Sequence, residues 1–245
     1  MKMRRVLPYL VAIAGAMFAG AHPAFATVVY DATGATDGFS ISSDPTKPTL
    51  DDLTVAQGGV LSSVSFVVTP TAEPGTVNPI NYNVALYLYL DADTHDGAPR
   101  PNDPSIGLFG PDTRLYREIR LQQTIAPDAG PTLMTFSGLA GQNIVIPNGA
   151  RLWGGVAFFN LNDEGFPYNH FGVGHAAYGP PSVGSSDSDV YTYIGFLDSY
   201  LPLALGSGDP GDNTETLGMR ISVVPEPASL ALLASGAVLI LRRRR

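Results

Sequence analysis

The sequence predicts an all-β protein: a two-sheet antiparallel sandwich, jelly-roll-like, with a short N-terminal signal helix and a short C-terminal membrane helix. Three observations predict it. Apolar residues recur with period 2, and no window of about 12 residues carries a period of 3.6. The 27 glycines and 21 prolines punctuate short apolar runs as turn residues do. The longest apolar stretches lie at the two chain ends, beside basic residues.

In chain order, the first element is the leader. Lys2, Arg4 and Arg5 precede an apolar run from Val6 to about Ala21, and AHPAFA follows with small residues at Ala24 and Ala26. A basic region, a short apolar core and an A-x-A site describe a secretory signal peptide, residues 1–26, cleaved after Ala26. The body then spans residues 27–223. In YNVALYLYL, Val84, Leu86, Leu88 and Leu90 share one face, and Asn83, Ala85, Tyr87 and Tyr89 the other. In VLSSVSFVV, Val60, Ser62, Val64, Phe66 and Val68 share a face. In LYREIRLQQTI, Leu115, Ile119, Leu121 and Ile125 point one way, opposite Tyr116, Glu118, Arg120, Gln122 and Thr124. In LGMRISV, Leu217, Met219, Ile221 and Val223 alternate with Gly218, Arg220 and Ser222. Such strands have one dry and one wet face, as in antiparallel sheets. RLWGGVAFFN (151–160) is apolar on both faces, so it reads as a central strand covered on both sides, or a strand under a long loop. Weaker strands are expected at 27–31, 37–41, 53–56, 132–137, 143–147 and 189–196. Three long polar connections separate them, at 91–114, 161–188 and about 198–214; loops of this length are usually functional, metal-bound or mobile.

Charge and composition exclude several functions. Residues 27–224 hold seven basic and 21 acidic residues, which leaves −14 against −8 for the whole chain. Nucleic-acid binding rests on Lys and Arg neutralising phosphate, so no nucleic-acid partner is expected. The chain has no cysteine, which excludes thiol catalysis, Cys-ligated zinc and c-type haem attachment. A body of this size buries enough surface to fold without disulfides.

Four constellations could carry chemistry. Asp91-Ala-Asp93-Thr-His95-Asp96-Gly97 approaches a D-x-D-x-D-G calcium loop, with Asp91, Asp93 and Asp96 as the metal ligands. His95 stands where the third carboxylate belongs, Gly97 comes one residue late, and Asn102 replaces the closing glutamate; the other reading is a solvated hairpin connection rich in Asp and Gly. His170 and His175, with Asp163 and Glu164, could ligate a transition metal, but five residues separate the histidines and a straight strand would place them on opposite faces. No G-x-S-x-G elbow occurs, Ser182 lies in a Pro/Gly turn, and Glu73, Glu118, Glu164 and Glu215 form no pair of the kind glycoside hydrolysis needs. No catalytic residue and no cofactor is assigned, calcium excepted as an option. Finally, Phe166, Tyr168, Phe171, Tyr178, Tyr191, Tyr193 and Tyr200 cluster near the second long loop. They either stack on sugars or cap the open ends of the sandwich.

The chain ends VPEPASLALLASGAVLILRRRR. Ala228 to Leu241 is about 14 apolar or small residues, about 21 Å of helix at 1.5 Å per residue, against a hydrocarbon core of about 30 Å. It can engage a membrane but is short for a permanent span. Arg242–Arg245 would stay cytoplasmic, leaving the body outside. Pro225-Glu226-Pro227, a short apolar segment and a terminal arginine cluster, together residues 224–245, resemble the PEP-CTERM sorting signal of Gram-negative bacteria that have an exosortase. The resemblance implies recognition of Pro225, Glu226 and Pro227 by an exosortase-type membrane enzyme, removal of the tail, and delivery from a transient membrane anchor to the cell surface or its polysaccharide matrix. The body, through YDATGATDGFSIS, VSFVV, LYLYLD, LWGGVAFF and MRISVVPEP, is similar to the choice-of-anchor group of exported β domains. That likeness implies a sandwich and no chemistry. The expected function is a non-enzymatic structural or adhesive protein of the surface or exopolysaccharide layer. The alternative is a lectin-like carbohydrate-binding module, with calcium assistance as an option, and the third choice is a secreted hydrolase.

Overall fold

The computed structural model describes residues 25–34, 38–40, 48–70, 79–92, 98–103, 108–126, 128–159, 173–177, 181–186, 190–194, 199–203 and 216–225. Both expected terminal helices lie outside the described residues. The body is a sandwich of two sheets. The first sheet runs β1 (Thr27–Asp31), β15 (Met219–Val224), β4 (Gly59–Pro70), β12 (Val173–Ala177), β2 (Gly38–Ser40), with β9 (Thr132–Ser137) and β10 (Val145–Ile146) also paired to β4. The second runs β14 (Ser199–Leu203), β13 (Val190–Ile194), β3 (Thr49–Thr54), β11 (Arg151–Phe159), β5 (Ile80–Leu90), β8 (Asp112–Ile125), β6 (Pro101–Asp103), β7 (Leu108–Phe109). Pairing is antiparallel except between β6 and β8, which run parallel. β6, β7, β12 and β14 fall inside stretches expected to be loops.

The core lies between the sheets, where Val64, Phe66, Ile221 and Val223 of the first meet Val84, Leu86, Leu88, Leu152 and Phe158 of the second. Phe158 meets Phe66 and Tyr82 edge-on, with centroids 6.4 and 5.7 Å apart, a favoured aromatic geometry. The alternation expected for β15 holds: Met219, Ile221 and Val223 are buried in the core. β11 is buried from Leu152 to Phe159 between β3 and β5, as a strand apolar on both faces must be.

Three sequence expectations are corrected. The face of β5 read as wet is dry. Tyr87 and Tyr89 have no exposed surface and stack with centroids 6.1 Å apart. With Leu50, Trp153, Phe159, Tyr191 and Tyr200 they form a second cluster on the far side of the second sheet. In β4, Leu61 rather than Val60 enters the core. The pairing jumps between Ser63–Ser222 and Leu61–Val223, so Ser62 is an extra residue, and one extra residue inverts the side-chain phase. In β8 two such jumps occur opposite β5, around Leu115 and around Gln122, whose φ is 55°. They turn Tyr116 and Ile125 into the core and leave Ile119 and Leu121 41% and 46% exposed. Arg120, expected to be wet, lies over the Phe136 ring at 3.7 Å.

Candidate functional site

A buried polar network forms around the middle of β3. The strand is TLDDLT, so two adjacent carboxylates enter the sheet on opposite faces. Asp51 has no exposed surface and Asp52 almost none. One Asp51 oxygen accepts the Leu217 N–H at 2.7 Å. The Ser186 hydroxyl lies 3.2 Å from Asp51 Oδ1 and 2.9 Å from Asp52 Oδ1. Arg151 Nη2 donates to Asp52 Oδ2 at 3.1 Å, and Arg151 Nε lies 3.5 Å from Asp91 Oδ2. Burial first, and then the neighbouring Asp52 charge, push the Asp51 carboxyl well above the usual carboxylate range. A hydroxyl carries one proton and cannot donate to both acids. Ser186 therefore donates to one of them at a time, and its shorter contact is to the Asp52 oxygen, on the acid that Arg151 also holds. Tyr30, also buried here, has its phenol pushed up by burial and then by Asp51 and Asp52. The network joins β3 to β11, to residues 185–186 and to the entry of β15. It ties the two sheets together there.

A second carboxylate organises the candidate calcium loop. Asp112, with no exposed surface, accepts the Ala92 N–H at 3.1 Å and the Arg100 N–H at 2.6 Å. One side chain thus closes the base of the 92–100 segment. Burial raises the Asp112 carboxyl although both N–H groups act to lower it. Gly110 is required here, since a Cβ would stand 1.8 Å from the Arg100 carbonyl oxygen. Of the expected metal ligands, Asp91 is held beside Arg151, and Asp93 and Asp96 lie outside the described residues. No group of three or more metal-ligating side chains occurs among the described residues.

The remaining expected residues are dispersed. His175 stands on β12, paired with Val68 of β4 and Ser40 of β2; His170, Asp163 and Glu164 lie outside the described residues. Ser182 bonds the Asp31 carbonyl through both its N–H and its hydroxyl, at 2.6 and 3.1 Å. Tyr191 is buried edge-on against Trp153, with centroids 5.4 Å apart, and Tyr200 is buried in the same cluster. These two rings are core and offer no stacking platform. Tyr193 belongs to β13; Phe166, Tyr168, Phe171 and Tyr178 lie outside the described residues. Sequence reasoning missed Asp51, Asp52 and Asp112. At Asp51 and Asp52 the available signal was the DD pair flanked by Leu50 and Leu53.

The tail leaves from the second strand of the first sheet, next to the edge strand β1. β15 pairs with β1 on one side and β4 on the other, ends at Val224, and passes directly into Pro225. Pro225 lines a groove of about 490 Å³ with Gln57, Gly58, Gly59, Ile146, Pro147 and Asn148. Glu226 and Pro227 lie outside the described residues, and Ala26 is exposed just before β1. No helix among the described residues is long and apolar enough to cross a membrane.

An all-β exported body that ends in a terminal sorting tail is the class these features define. Residues 223–245 match the family model of the PEP-CTERM protein-sorting motif. The motif marks an exported protein, handled by an exosortase-type membrane enzyme and sorted at the membrane toward the cell surface. No curated protein and no solved structure matches the chain.

Proposed function

We propose that this protein is a non-enzymatic structural or adhesive component of the cell surface or exopolysaccharide matrix. The signal peptide at 1–26 exports it, and the tail anchors it until removal. The observation that carries this reading is the PEP-CTERM motif at 223–245, which continues the last core strand of a densely packed sandwich. The proposed partner of the body is extracellular polysaccharide. The test is co-sedimentation of the released body with matrix polysaccharide prepared from the same cells. Retention that survives washing at raised salt supports adhesion, and a body that stays wholly in the supernatant contradicts it.

Calcium assistance at Asp91, Asp93 and Asp96 belongs to the carbohydrate-binding alternative. Asp91 already has the Arg151 cation 3.5 Å away, and Asp112 already fixes the loop base. The proposed body therefore folds without the ion. Its melting transition is expected to be unchanged by EDTA, whereas a rise with added calcium would establish a structural site.

A further inference from the structure

The two ends of the body leave it side by side. Thr27 pairs with Val223 in the β1–β15 ladder, and paired Cα atoms across such a ladder stand about 5 Å apart. Only Pro225, Glu226 and Pro227 separate Val224 from the apolar run that begins at Ala228. Fully extended, that connection spans at most about 14 Å. On the proposed reading that the apolar run engages the membrane, one rim of the first sheet is held against it.

That rim is formed by Thr27 and residues 56–60, 145–149 and 223–225. Ladders and single bonds bring these segments together. Val60 pairs with Val224 and Val145, and Gly59 with Ile146. The Ala56 N–H reaches the Val29 carbonyl at 2.9 Å. The Gly58 N–H reaches Asn148 Oδ1 at 3.3 Å. Gly59 has no room for a side chain, because a Cβ would stand 2.6 Å from the Val224 carbonyl oxygen. None of these rim residues is charged, in a body with 21 acids and seven bases. Val145 is 48% exposed on it. Asp52 and Asp91, on the second sheet's side, face Arg151, and the acid next to the rim in sequence, Glu226, belongs to the sorting motif itself. An acidic body approaches an anionic lipid surface at least electrostatic cost through a rim without charge.

We propose that this rim is a membrane-facing surface whose partner is the lipid headgroup layer around the anchored tail. The absence of native cysteine permits a direct test. Single-cysteine variants of the full chain, Gln57→Cys, Val145→Cys, Gly130→Cys and Ser235→Cys, are labelled with a fluorophore. They are reconstituted into phosphatidylethanolamine–phosphatidylglycerol vesicles that carry a headgroup quencher. Gly130 lies in the turn before β9, whose first residue pairs with Val68. That end of β4 is about 26 Å from Val60 at 3.3 Å per residue. Labels at Gln57 and Val145 should be quenched severalfold more than the label at Gly130. Equal quenching at all three body positions, with the Ser235 label in the bilayer, overturns the rim. A Ser235 label left in water overturns the anchoring reading, and the rim with it. Protection of Gln57 and Val145 only after an exosortase-type enzyme is added assigns the rim to that enzyme and overturns the lipid assignment.

Discussion

Asp51 is the residue whose physics departs furthest from its sequence appearance. Its carboxyl titrates near 3.8 when unperturbed and is raised in the fold by burial and by Asp52. Between those two values the folded state keeps a proton that the unfolded state has lost. Folding therefore takes up a proton in that window, and stability falls as pH rises through it. Asp51→Asn removes the charge and keeps an acceptor for the Leu217 N–H. The variant is predicted to melt higher than the parent at pH 7 and to lose the share of the pH dependence above pH 4 that Asp51 contributes, with that of the raised Asp112 left in place. Fluorescence of the single tryptophan, Trp153, buried in the second cluster, reports the transition. A lower melting temperature with an unchanged pH slope would contradict the protonated acid. The reason sequence reading passed over Asp51 is physical. Its partners Leu217 and Ser186 are 166 and 135 residues away, and two adjacent acids read as loop until something is known to satisfy them.

At the scale of elements, the strands that carry no extra residue of their own were those the sequence located best. β15 and β11 were read correctly from their apolar spacing. β4 and β8 were located, but the faces were misassigned wherever an extra residue inverted the phase. Nothing in SSV or LQQ announces a bulge, because the bulge is set by the partner strand. The second face of β5 was misread for a related reason. Tyrosine serves both wet and dry faces, and only the neighbouring β11 decides which. The same strand β11 contains a backbone position with no room for a side chain. A Cβ on Gly155 would stand 2.1 Å from the Thr49 carbonyl oxygen, whereas one on Gly130 would meet nothing within 4 Å. Gly155→Ala is predicted to destabilise the body by about 1–3 kcal/mol through overpacking, with Gly130→Ala near neutral in the same urea titration. Equal midpoints for the two variants would show that β3 does not press on β11 as described.

For the whole molecule, the decisive feature is where the ends are. The sorting motif is continuous with a strand held between β1 and β4, so on the proposed reading the cut near Val224 falls where a folded sheet ends. The tail was legible because it is a local signal: three ordered parts in 22 residues at the terminus. The groove beside Pro225 was not, since Gln57, Pro147 and Asn148 reach it only through the pairing of β4 with β10 and β15. The most direct test of sorting is the mass of the protein released at the cell surface. The account predicts an N-terminus at Thr27 and a C-terminus near Val224, with the apolar run and arginines gone. A released form that still carries Arg245 would contradict it.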